Sequence, residues 1–148
     1  MRIIVKNFTL SLFTEAEFEV RFFDCDPLGI VWHGNYAKYF EIGRDAFSKK
    51  YEIDFEEIFH KHNYSSPLTS IDMSFKRPLE FKDIAIVRAT FRPTDTPKVI
   101  FDYLIYKKST GEKICTGSTT QVFVTRENRQ LSLTIPAFYE AWKKTVNL

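Results

Sequence analysis

Two carboxylates and one imidazole fall close together early in the chain, at Asp24, Asp26 and His33. They precede a segment with the apolar spacing of a helix. A helix N-terminus exposes unpaired backbone N–H groups and carries partial positive charge. Such a terminus can hold the oxyanion that develops on a carbonyl under attack. A carboxylate beside it could attack that carbonyl or activate a water to do so. Asp26 is therefore the candidate for acyl-transfer hydrolysis, a chemistry that requires no metal. A simpler role fits the same residues, because Asp followed by Pro27 is also a common helix cap. Asp24 reads as a turn or hydrogen-bonding residue. His33 either caps the helix or acts at the site as a polarising group.

Positioning these groups falls to the surrounding elements. Phe8, Leu10 and Leu12 alternate with polar residues, as do Phe18, Val20 and Phe22, and period-two alternation predicts strands. Residues 24–35 break the pattern with turn formers. A helix is expected from about Asn35 to Tyr51, where Tyr36, Phe40, Gly43 and Phe47 recur at helical spacing and neighbouring apolar residues widen the stripe. Asp54 and Glu57 make a capping box that opens a short helix to about Lys61. Four strands follow: one around Ile71–Phe75, then Ile84–Phe91, Lys98–Lys107 and Ile114–Val124. Short connections make them antiparallel. A last helix is expected from an N-cap at Thr134, with Pro136 in its first turn, to about Lys144. One antiparallel sheet must then cover one long apolar helix, an α+β arrangement. The aromatic residues of that helix, Tyr36, Tyr39, Phe40 and Phe47, read first as core.

Composition narrows the function classes. The chain has 148 residues, 44% of them hydrophobic and 27% charged, which suits one soluble domain spanning 1–148. Twenty-one basic residues against 19 acidic ones give a net charge of +2, with no basic cluster of the kind nucleic acid requires. Fifteen Phe, seven Tyr and two Trp supply core and interface surface. Cys25 and Cys115 form neither a CxxC pair nor a zinc spacing and are expected to be free thiols. His60 and His62 are far in sequence from His33, so no metal site is expected. The longest aliphatic run, Ile84–Val87, is too short for a membrane span, and the N-terminus has no signal-peptide pattern; a cytoplasmic protein is expected.

The segment from Asp24 to Tyr36 resembles the 4-hydroxybenzoyl-CoA thioesterase family of hotdog proteins and the related Tol-Pal-associated thioesterases. The shared pattern is D-x-D-x-x-G-[IV]-[VI]-[WYF]-[HY]-x-x-Y, carried here by Asp24, Asp26, Gly29, Ile30, Val31, Trp32, His33 and Tyr36. The likeness is sharp over residues 17–48 and topological over roughly 67–125, so the domain core is expected at about 15–126 and the terminal helix at about 134–144. The resemblance implies a hotdog fold, in which the sheet wraps the helix, and acyl-CoA thioesterase activity. It implies Asp26 as nucleophile or general base, and His33 as the residue at the mouth of the helix. The backbone N–H groups of His33 and Gly34 would be the oxyanion donors. Trp32, Tyr36, Glu41, Lys98 and Arg92 would contact substrate, with Lys98 the better match for the phosphates of CoA. Read as residues alone, Glu41 and Arg44 are a helix-face pair, and Arg92 and Lys98 are solvated cations at a turn. Phe22 stands where one branch has a Tyr. CoA is expected only as part of the substrate, with no separate cofactor. The resemblance also implies a homodimer or a tetramer of dimers. The sequence adds a physical reason, since the strand Val99–Tyr106 is apolar on both faces and an open sheet edge invites pairing. The competing functions are an acyl carrier protein thioesterase, a hotdog hydratase or dehydratase, and a non-enzymatic ligand sensor.

Overall fold

In the structure, a computed structural model describing residues 11–148, ten hydrogen-bonded elements follow one another. They are β1 (Phe13–Glu19), α1 (Tyr36–Tyr51), α2 (Phe55–His62), β2 (Tyr64–Ser65), β3 (Leu68–Phe75), β4 (Ile84–Arg92), β5 (Lys98–Lys107), β6 (Lys113–Val122), β7 (Val124–Thr125) and α3 (Ala137–Thr145). Five strands form one antiparallel sheet in the order β1-β4-β5-β6-β3, and β2 pairs with β7 in a short ribbon that periodicity did not reveal.

Alternation along β4 and β5 decides what faces α1. Ala85, Val87, Ala89 and Phe91 of β4 are buried, as are Val99, Phe101, Tyr103 and Ile105 of β5. The small side chains on β4 let α1 approach closely. A Cβ added at Gly43 would lie 3.0 Å from a Val87 methyl. Gly117 on β6 leaves room for Phe40, whose ring stacks on Tyr103 at 4.3 Å. Tyr36, Tyr39, Phe40 and Phe47 are all buried, as their core reading requires. The α3 helix closes the far end, where Trp142 donates from Nε1 to the carbonyl of Tyr51 at 2.8 Å.

Several expected boundaries move. The alternation at 8–12 falls, up to residue 10, outside the described residues. The strand expected to reach Phe22 stops at Glu19, because β1 loses its partner where β4 begins, at the pair Glu19–Ile84. Phe22–Asp24 is instead one 3₁₀ turn, with Phe22 and Phe23 each 77% exposed. The last helix is capped by Pro136 rather than Thr134, the Pro136 carbonyl accepting from the N–H groups of Tyr139 and Glu140. Asp54 does cap α2, its Oδ1 accepting from Glu56 and Glu57, but Glu57 turns outward to pair with Lys61.

β3 is one edge of the sheet, and Leu68, Ile71 and Phe75 are exposed along it. β5, by contrast, lies inside the sheet; its outer residues Ile100, Leu104 and Tyr106 are half-buried. No helix among the described residues is long and apolar enough to cross a membrane.

Candidate active site

Asp26 sits at the start of a tight loop closed by backbone bonds. Its N–H donates to the Ile30 carbonyl at 2.8 Å, and its own carbonyl accepts from Gly29 at 3.0 Å. Oδ1 accepts the Leu28 N–H at 2.8 Å. Gly29 has φ of +78°, which an L side chain rarely adopts, so this turn favours glycine. Asp26 thus caps its own turn and not α1, and the simple helix-cap reading does not hold. Cys25 and Val31 then bridge, and Val31 donates to the Leu79 carbonyl at 2.8 Å, clamping the loop to the segment before β4.

The chain returns to the helix through a 3₁₀ turn at His33–Asn35 that runs into α1. By helix geometry, the first N–H groups of that turn, His33 and Gly34, precede the ladder of internal bonds. A Cβ on Gly34 would fall 2.1 Å from the Trp32 ring, so that ring covers the backbone here. Trp32 also lies against His33, with ring centroids 5.0 Å apart.

Folding back in this way brings Asp26, His33 and Tyr36 onto one cleft of about 320 Å³. Its other walls include Ile30, Val31 and, from the end of β3, Phe75, Lys76, Arg77 and Pro78. Tyr36 packs edge-on against Phe75 at 5.0 Å, and burial pushes its phenol up to about 12, so it stays a neutral hydroxyl.

Asp24 is the anchor beneath the loop. It is only 2% exposed, and it is a structural hydrogen-bonding residue as its type suggested. Oδ1 receives the Lys38 ammonium. Oδ2 accepts from the Tyr39 hydroxyl at 2.9 Å and the Arg21 N–H at 3.1 Å. Its carbonyl accepts from Trp32 N–H at 2.9 Å and Asn35 Nδ2 at 2.8 Å. Burial alone would raise its carboxyl pKa; the Lys38 bond, together with those from Arg21 and Tyr39, outweighs it and holds the group below its ordinary value. The same anion pushes the Tyr39 hydroxyl up, after burial as the larger cause.

Other expected substrate contacts stand apart from this cleft in the protomer. Glu41 pairs with Arg44 on the helix surface. Arg92 makes a two-point contact with Asp102, Nε to Oδ2 at 2.9 Å. Lys98 is exposed at the start of β5, with its carbonyl accepting from the Tyr139 hydroxyl at 3.4 Å. Sequence reasoning missed Phe75, Lys76, Arg77 and Pro78, reading them as a strand end and a turn. Only the return of this turn to the Asp26 loop, through Leu79 and the Glu80–Ile30 bridge, brings them in.

Comparison with known proteins agrees with this architecture. The family model of the thioesterase-like superfamily matches residues 20–142, and the chain belongs to that superfamily of hotdog thioester hydrolases. It is 28% identical over 134 residues to a Bacillus subtilis (strain 168) protein named "Putative acyl-CoA thioesterase YneP", covering 88% of this chain and 96% of that one. It is 27% identical over 128 residues to the Arabidopsis thaliana acyl-acyl carrier protein thioesterase ATL3, chloroplastic, covering 86% of this chain and 66% of the other. Among solved structures, the DHNA-CoA thioesterase from Staphylococcus aureus superposes with a TM-score of 0.80 at 24% identity, covering 92% of each chain.

Proposed function

We propose that this protein hydrolyses acyl-CoA thioesters to free acid and CoA in the cytoplasm. Asp26 acts as nucleophile or general base, and the N–H groups of His33 and Gly34 receive the developing oxyanion. The observation that carries this reading is the shared cleft: Asp26 and His33 line one hollow at the mouth of α1. The His33 ring orients water or polarises the thioester, while Tyr36 and Trp32 shape the acyl end. Lys98 meets the phosphates of CoA. Arg92 and Glu41 reach substrate only by releasing Asp102 and Arg44.

The working unit is a homodimer or a pair of dimers. The β3 edge, with Leu68, Ile71 and Phe75 exposed, is where a second copy pairs. Phe75 belongs both to that edge and to the cleft, which supports a site at the seam. A well-behaved, active monomer in light scattering at micromolar concentration overturns the assembly.

Free-thiol release from a panel of acyl-CoAs and acyl carrier protein thioesters tests the activity. Thiol release with acyl-CoA supports it. Release only from acyl carrier protein assigns the carrier instead. Acyl-chain hydration without thiol release, or binding without turnover, refutes it.

A further inference from the structure

The Asp26 cleft carries two cations that hydrolysis of a neutral acyl group does not use. Lys76 and Arg77 follow directly on β3, and their N–H groups share the Ile114 carbonyl at 2.8 and 3.2 Å. That shared bond fixes the backbone at the point where both side chains join the cleft wall. Arg77 already holds a carboxylate, with Nε 3.0 Å from Oε1 of Glu112. Both members of that pair are exposed, so the contact is weak and exchangeable. The Lys76 ammonium is held by a neutral group, Ser74 Oγ, at 2.9 Å.

We propose that Lys76 and Arg77 form an anion subsite for a carboxylate carried by the acyl group, so that the preferred substrates are monothioesters of dicarboxylic acids. This rests on the thioesterase reading above. Covalent spacing favours one of the two anions a thioester substrate can offer. The hollow of about 320 Å³ contains Asp26 and both cations together. A hollow of that size has room for an acyl group beside Asp26. The pantetheine arm puts the nearest carrier phosphate more than a dozen covalent bonds beyond the thioester sulfur. An acyl carboxylate, by contrast, stands only a few bonds from the carbonyl at Asp26. The planar guanidinium suits a carboxylate's two oxygens, and Phe75 and Tyr36 supply an apolar wall for the carbons between.

The test uses substrate pairs on one carrier, glutaryl-CoA against pentanoyl-CoA and 4-carboxybenzoyl-CoA against benzoyl-CoA. Any effect on the phosphates cancels in the ratio of kcat/KM within a pair. The wild-type protein should favour the acid member of at least one pair by about tenfold, the scale of one charge-assisted contact. In Lys76→Gln/Arg77→Gln that preference should vanish, and in Arg77→Lys it should be retained in part. A wild-type protein that favours the neutral member of both pairs overturns the proposal. So does a double variant that slows both members alike, which would assign the cations to the carrier phosphates. A protein that releases thiol from none of the four also overturns the proposal, whereas the thioesterase reading falls only if the wider panel of acyl-CoA and acyl carrier protein thioesters releases none.

Discussion

Replacing Asp24 by Asn removes one charge and little volume from beneath the Asp26 loop. In the native protein Oδ1 holds the Lys38 ammonium, while Oδ2 holds the Tyr39 hydroxyl and the Arg21 N–H. The amide oxygen of Asn can take over the two Oδ2 bonds, since both are donated to it. Its NH₂ must then face Lys38, a donor facing a donor. Lys38 is 50% exposed and can swing into water, so no charge is stranded. The loss is therefore about one charge-assisted hydrogen bond, roughly 1.5–3 kcal/mol. For a chain of this size that lowers Tm by roughly 3–10 °C. The pH dependence follows from the lowered carboxyl pKa of Asp24. A carboxylate held below its unfolded value contributes stability above that value and loses it as pH falls through the folded one. Urea unfolding should thus show wild type more stable than Asp24→Asn at neutral pH. The gap should close as the solution is acidified below about pH 4, the unfolded-state pKa of an aspartate. A variant as stable as wild type at pH 7, or a gap that persists unchanged in acid, refutes the assignment of Asp24 as a buried anionic anchor.

Two further outcomes are expected. Gly34→Ala forces the Trp32 ring aside, because the added Cβ would lie 2.1 Å from it. Trp32 is half exposed and can leave, so stability changes little, while turnover falls by up to about a hundredfold as the oxyanion donors shift and iodide quenching of Trp32 increases. Unaltered turnover would remove this backbone from the site. Lys98→Ala should raise KM for acyl-CoA about two- to fivefold with little change in kcat, the scale of one exposed ion pair. The effect should shrink at high salt, and identical low-salt kinetics would make Lys98 a plain surface residue.

The long helix, the strand cores and the turn glycine were legible because each has a local cause. The apolar stripe from Tyr36 to Phe47 must be buried, alternation along β4 and β5 sets which residues face it, and Gly29 occupies a left-handed turn. The hydrogen-bonding role of Asp24 and the pairing of Glu41 with Arg44 also followed from residue type and spacing. What escaped was set by long-range pairing. Nothing local to Phe75–Pro78 reveals that this turn returns to Ile30 and Val31 and completes the cleft. The end of β1 at Glu19 was equally hidden, because alternation continues to Phe22 while the partner strand does not. The cap role of Asp26 was misplaced for a related reason: the Asp-Pro pair opens a turn of its own before the helix begins.

Asp26 is the carboxylate proposed to perform the hydrolysis. Free-thiol release by Asp26→Asn, measured beside wild type on the same acyl-CoA, tests it most directly. The Asn oxygen can still accept the Leu28 N–H, so the turn survives and the circular dichroism spectrum should be unchanged. What is lost is the nucleophile or base, and kcat should fall by roughly 10²–10⁴-fold. A folded variant that retains turnover within a few-fold of wild type would leave Asp26 without a catalytic role.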